Sequence, residues 1–143
     1  MADNLYDAQI IVCVTAQLEC QRLIKIGQQL ASQTGDPVQV LSVQPVNQEA
    51  EQRAQALGSL YEIAKAAGAE IAIYYNDSPA IVTATHATRC HAKELITGFP
   101  EQGTSNHFVD MVRMLAPDIR ITMVDKNNRL HVMEPSAIGC AKR

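Results

Sequence analysis

Apolar positions along this chain switch between two spacings. The run 9–15, Gln-Ile-Ile-Val-Cys-Val-Thr, is continuous and β-branched, which predicts a strand buried on both faces, as in parallel sheets. From 17 to 33 the spacing becomes helical. Leu23, Ile26 or Gly27, and Leu30 share one stripe; Cys20, Ile24 and Ala31 lie beside it; Gln21, Lys25 and Gln28 lie off it. Gly35-Asp36-Pro37 ends that helix. A second strand is predicted over 38–43, stopped by Pro45. A long helix then spans 48–67, with Ala50, Ala54, Leu57, Tyr61 and Ala64 at helical spacing, Gly58 as a weak point and Gly68 as the stop. Residues 70–75 form a third strand, and alternation turns one of Tyr74 and Tyr75 toward the core.

Asn76-Asp77-Ser78-Pro79 reads as a helix cap followed by proline at the first helical position. The third helix reaches about Cys90, and 92–97 is the fourth strand. In the fourth helix, 105–115, Phe108, Met111, Val112 and Leu115 stand at i, i+3, i+4 and i+7. Ala116-Pro117-Asp118 ends it, and 119–124 is the fifth strand. Asp125-Lys126-Asn127-Asn128 has turn chemistry before a short strand over 129–133. Strands and helices thus alternate with short connections. That implies an α/β three-layer sandwich: a five-stranded parallel sheet in the order 3-2-1-4-5, helices on both faces, and a short C-terminal edge strand. Without an internal repeat or linker, 1–143 reads as one domain, its core about 8–134 and 135–143 a loose tail.

Composition narrows the function classes. A chain 47% hydrophobic and 19% charged is that of a globular protein. Net charge −3 with scattered basic residues argues against a nucleic-acid partner. No apolar run approaches the roughly 18 residues of a membrane span. The acidic start lacks the order of a signal peptide, so membrane insertion is not expected and a cytoplasmic location is. Cys13, Cys20, Cys90 and Cys140 are widely spaced, which predicts thiols and no metal site.

The richest stretch is 95–105, Leu-Ile-Thr-Gly-Phe-Pro-Glu-Gln-Gly-Thr-Ser. A strand runs into Gly98, and Gly103-Thr104-Ser105 opens a helix. Helix starts offer unpaired N–H groups to anions, and glycine lets a ligand approach the backbone. In open parallel sheets ligands sit beyond the carboxyl ends of the strands, where the winding reverses. Here the reversal falls between strands one and four. Val14, Thr15 and Ala16 line one side, Thr97, Gly98, Gly103, Thr104 and Ser105 the other, and the apolar end of strand two at Val43 suits a flat base. No lysine follows the second glycine, so this is not a P-loop.

The remaining candidates read as structural. His86 and His91 are expected to be solvated residues at the end of helix three, and His107 a solvated residue near the cradle. His131 faces outward from the last strand; Cys13 is a core residue; Met111, Met114 and Met123 fill core or interface. Strand one ends without the acids a phosphoacceptor domain needs for magnesium, and no nucleophile–base arrangement follows from spacing. A binding domain is therefore expected rather than an enzyme, with a nucleotide hydrolase as a minor alternative.

Over residues 8–124 the chain resembles the universal stress protein family. The resemblance is carried by Ile10-Ile11-Val12-Cys13-Val14-Thr15, by Leu95-Ile96-Thr97-Gly98, by the helix before Ala116-Pro117 and by the final apolar strand. The segment 13–30 is similar to the universal-stress-like domain of potassium-sensing histidine kinases. The family's ATP-binding pattern is Gly-x-x-Gly, about nine residues, then Gly-Ser or Gly-Thr. Gly98 matches its first glycine; Glu101 stands at the second; Gly103-Thr104-Ser105 arrives about eight residues early; and Thr15 stands where those members carry aspartate. The resemblance implies a stress-response or regulatory domain binding an adenine nucleotide, ATP or AMP, or a related small ligand, at the crevice between strands one and four. It also implies a homodimer and a sensor kinase or transporter as partner. The shortened loop leaves an interaction module without nucleotide as the alternative.

Overall fold

A computed structural model describes residues 10–14, 20–47, 49–99 and 107–135 of the chain. Its elements alternate: β1 (Ile10–Cys13), α1 (Cys20–Thr34), β2 (Val38–Gln44), α2 (Ala50–Ala67), β3 (Glu70–Tyr75), α3 (Pro79–Arg89), β4 (Glu94–Gly98), α4 (His107–Leu115), β5 (Arg120–Val124) and β6 (Leu130–Met133). They build one six-stranded sheet in the order β3-β2-β1-β4-β5-β6. The first five strands are parallel and β6 returns antiparallel to β5. The predicted α/β architecture, strand order and edge strand are all present.

β1 lies at the centre, with Val12 opposite Val40 on one side and Ile96 on the other. Its continuous apolar run is explained by helices on both faces. Ile10, Val12 and Val14 join Val40, Ile96 and Val124 in a core with Leu23, Ile24 and Ala31 of α1 and Leu60 and Ala64 of α2. On the other face, Ile11, Leu41, Leu95, Ile121 and Met123 pack with Ala80, Ala84 and Ala87 of α3 and Val109 and Val112 of α4. The alanines of α3 let that helix lie close to the sheet.

One glycine is required by packing. A Cβ on Gly27 would lie 2.5 Å from Val12 Cγ2, so α1 crosses β1 at a distance only glycine permits. Gly68 ends α2 in the left-handed region at φ 71°, and its N–H closes on Lys65.

Several local expectations need correction. β4 begins at Glu94, two residues later than predicted, because His91 adopts φ 55° and Ala92 N–H closes on Ala87 O at 3.0 Å. The buried stripe of α4 is Val109 and Val112, continued by Ala116 just past its end, while Met111, Met114 and Leu115 are exposed. Both stripes have helical spacing, and the packing against α3 and the sheet selects the first. In α2, Leu60 and Ala64 face the core and Tyr61 is exposed. Ser78 precedes α3 without a side-chain cap bond; instead Asn76 Oδ1 accepts its N–H at 2.8 Å. The predicted tail beyond Pro135 lies outside the described residues.

Candidate functional site

The winding of the sheet reverses between β1 and β4, as the alternation of elements requires. β1 is prolonged by Val14 N–H donating to Leu41 O at 2.9 Å, and β4 by Phe99 N–H donating to Val124 O at 2.9 Å. These bonds lie at the carboxyl ends of the two strands, where an open parallel sheet places its ligand site. Thr15 and Ala16 on one side, and Gly103, Thr104 and Ser105 on the other, lie outside the described residues.

The described rim residues divide between the two faces. Val14, 4% exposed, belongs to the core beneath α1 and α2, whereas Val43 packs on the α3/α4 side. Thr97 is paired with Met123 and shares its α3/α4 face; Gly98 is paired with Val124 and shares the α1/α2 face. The structure thus brings Thr97 and Val43 to one face and Val14 and Gly98 to the other. Among the described residues, an ideal Cβ on Gly98 would meet no atom within 4 Å, and its φ is not positive. The backbone there does not demand glycine. The wall at strand two is less apolar than expected, since Gln44 is buried beside Val43 and donates to Ser42 Oγ at 2.6 Å.

Beyond Gly98 the rim becomes polar. Phe99 packs against the imidazole of His131 with ring centroids 4.4 Å apart. His131 Nε2 lies 2.9 Å from Asp125 Oδ2, and Asp125 Oδ1 accepts N–H bonds from Asn127 and Arg129. The His131 bond, then these backbone donors, hold the Asp125 carboxyl down at about 2. Arg22 of α1 donates to Asp125 O at 2.8 Å and to Asn128 Oδ1 at 3.2 Å, tying the start of α1 to the β5–β6 turn. His131 faces outward as expected; the sequence did not disclose its carboxylate. A groove of about 940 Å³ on the α1 surface, bordered by Arg22, Lys25, Leu30, Ile63 and Asn128, lies beside this contact rather than at the reversal point.

A second polar cluster is buried between β2, β3 and α3. His86 is 9% exposed, which corrects the expectation of a solvated helix-end residue. Its Nδ1 lies 2.8 Å from Tyr74 Oη, and its Nε2 lies 2.5 Å from Gln39 Oε1 and 3.5 Å from Cys90 Sγ. The amide oxygen can only accept, so Nε2 carries the proton and Nδ1 accepts from the tyrosine hydroxyl. Burial and then the charge of Arg89 push the imidazole below its ordinary value, keeping it neutral. The missed signal was periodicity: Thr83 and His86 stand at helical spacing on the inward face of α3, and the buried Cys90 that caps the helix continues the stripe.

Cys13 Sγ sits 3.8 Å from Thr83 Oγ1, and burial raises its thiol to about 11 despite that contact. It stays protonated at neutral pH and is a packing residue. Among the described residues no three His, Cys, Asp or Glu side chains gather to hold a metal, and no helix is long and apolar enough to cross a membrane.

No protein-family model and no curated protein matches the sequence. Solved structures do match the fold. A universal stress protein from Archaeoglobus fulgidus superposes with TM-score 0.65 and 19% identity, covering 80% of this chain and 90% of that one. A structure of the universal stress protein from Archaeoglobus fulgidus in complex with dAMP gives TM-score 0.61 and 18% identity, covering 82% and 96%. A universal stress protein in complex with cAMP gives TM-score 0.60 and 16% identity, covering 81% and 94%. At these identities the likeness establishes the fold.

Proposed function

We propose that this chain is a regulatory domain of universal stress type, 1–143 acting as one unit, that binds an adenine nucleotide in the crevice between β1 and β4. One observation carries the reading: at the reversal point of a 3-2-1-4-5 sheet, no described residue comes within 4 Å of a Cβ built on Gly98, where β4 ends. The fold likeness to proteins solved with dAMP and cAMP supports an adenine ligand. Val14 and Val43 supply apolar walls from opposite faces of the sheet, and Thr15 and Ala16 meet the base or ribose. Thr97 and Gly98 admit the ligand to the backbone, and Gly103, Thr104 and Ser105 cradle phosphate with N–H and hydroxyl groups. The shortened loop favours AMP over ATP, and the domain acts in the cytoplasm.

Calorimetric titration with ATP, ADP, AMP and cAMP tests this reading. Micromolar to low-millimolar binding of at least one is expected. No heat at millimolar ligand overturns it.

A second reading is favoured by Glu101 and Thr15, which stand where nucleotide-binding members carry glycine and aspartate. In it the fold is an interaction module without nucleotide, acting as a homodimer or on a sensor kinase or transporter. The likeness of 13–30 to the kinase-associated domain supports the kinase. Retention of the chain by an immobilised sensor-kinase cytoplasmic region, unaffected by nucleotide, is its expected outcome; absence of both retention and self-association removes it.

A further inference from the structure

The pairing of β1 with β4 ends at Val12 opposite Ile96, so Val14 and Gly98 lie beyond the last pair of that ladder. Side chains join the two walls instead, through the β5–β6 turn. On the β1 side, Arg22 stands in the first turn of α1, the helix that follows Val14, Thr15 and Ala16 in the chain. Its Nη1 donates to Asp125 O at 2.8 Å and to Asn128 Oδ1 at 3.2 Å. On the β4 side, Phe99 follows Gly98; its N–H donates to Val124 O at 2.9 Å, and its ring centroid lies 4.4 Å from that of His131. His131 Nε2 lies 2.9 Å from Asp125 Oδ2. The two arms meet at Asp125, one on its carbonyl and the other on its carboxylate. The carbonyl also accepts Asn128 N–H at 3.0 Å, and Oδ1 accepts the N–H groups of Asn127 and Arg129. The turn is thus closed on itself by the same residue that holds both arms.

We propose that Arg22, Asp125, His131 and Phe99 form a positioning bridge for the nucleotide site, holding the β1 and β4 walls at a fixed separation before the ligand arrives. The bridge deepens the nucleotide reading above and rests on it. Its residues act through one another and need not touch the ligand. Arg22 fixes the start of α1, and with it the exit from β1; His131 fixes Phe99, and with it the exit from β4. Asp125 makes the two positions depend on each other, because the turn cannot release one arm and keep its shape. Walls ordered in advance spare the ligand the entropy of ordering them, which is how such a bridge strengthens binding without a contact of its own.

The test uses the full chain, with AMP titrated by calorimetry and the exchange of the Phe99 amide hydrogen followed in the ligand-free protein. His131→Ala and Arg22→Ala are each expected to weaken AMP binding roughly three- to tenfold, the cost of ordering a wall that the bridge otherwise holds in advance. A bridge cut at one end is already open, so the double variant is expected to bind no more weakly than the weaker single variant. Neither side chain is buried, so both variants should fold. Arg22→Ala is also expected to speed Phe99 exchange, since its link to Phe99 runs through Asp125 and His131. Unchanged affinity in either single variant, additive losses in the double variant, or unchanged Phe99 exchange in Arg22→Ala overturns the bridge. If the unsubstituted chain binds no nucleotide while Arg22→Ala speeds Phe99 exchange, the bridge stands and the nucleotide reading falls.

Discussion

Tyr74 Oη donates to His86 Nδ1 at 2.8 Å, joining β3 to α3 through a histidine whose other nitrogen is held by Gln39 of β2. The imidazole is neutral in the native state because burial, and then Arg89, lower its proton affinity. In the unfolded chain the ordinary value of about 6.5 returns. The unfolded state therefore binds the proton more readily, and stability, complete above about 6.5, declines as pH falls below it. Urea unfolding at pH 7.5 and pH 5 should show this decline, and His86→Leu should reduce it. An equal decline in both proteins would refute the role of His86.

Truncating the same residue tests the cluster at constant pH. His86→Ala leaves the Tyr74 hydroxyl and the Gln39 amide without their partner, which costs about 2–4 kcal/mol. Tyr74→Phe removes one donor and keeps the ring, so about 1 kcal/mol is expected. Chemical denaturation at pH 7.5 separates the two; equal losses would mean that the cluster does not bond as described.

Two glycines should respond to alanine with opposite signs. At Gly27 the new methyl would stand 2.5 Å from Val12 Cγ2, on a fully buried β-branched side chain that cannot turn aside, so a loss of about 1–3 kcal/mol is expected. At Gly58, inside α2, a Cβ meets nothing within 4 Å, and a gain of about 0.5–1 kcal/mol is expected from helix propensity. Thermal unfolding of both variants checks the pair. A stabilising Gly27→Ala would contradict the close crossing of α1 over β1.

Gly98 separates binding from folding. Gly98→Leu meets no described atom within 4 Å at its Cβ and imposes no backbone strain, so stability should change by less than about 0.5 kcal/mol. Filling the crevice should weaken nucleotide binding at least tenfold, about 1.4 kcal/mol. Undiminished binding by calorimetry would place the ligand elsewhere.

The β5–β6 turn is organised by an acid that stays ionised. The bond from His131 and the backbone donors of Arg129 and Asn127 hold the Asp125 carboxyl at about 2. A carboxyl depressed on folding supports the fold above its unfolded value near 3.9, and that support fades as pH falls toward 2. Carboxyl chemical shifts should give an Asp125 midpoint near 2 in the folded protein and a midpoint moved upward in His131→Ala. A folded midpoint near 3.9 would show that the three bonds do not persist in solution.

The order of elements was legible because it depends on local pattern. A β-branched run buried on both faces has one common solution, a central parallel strand, and β1 occupies it with Val12 between Val40 and Ile96. Glycine at 68 and proline at 79 bound their helices through backbone chemistry that needs no partner. The reversal point, and with it Val14, Thr97 and Gly98, followed from the same alternation.

What tertiary structure alone decided was which of several equivalent local patterns met a partner. In α4, Val109 and Val112 rather than Met111 and Leu115 face inward, because α3 and the sheet lie on that side. His86 has the composition of a surface helix end, and only the approach of β2 and β3 brings Gln39 and Tyr74 to its two nitrogens. Val14 and Val43, neighbours at the rim in a sequence reading, point to opposite faces because the pleat alternates and the register fixes its phase. Hydrophobic period is written residue by residue and survives without a fold. Partnership between residues far apart in sequence exists only once the sheet has set their distance.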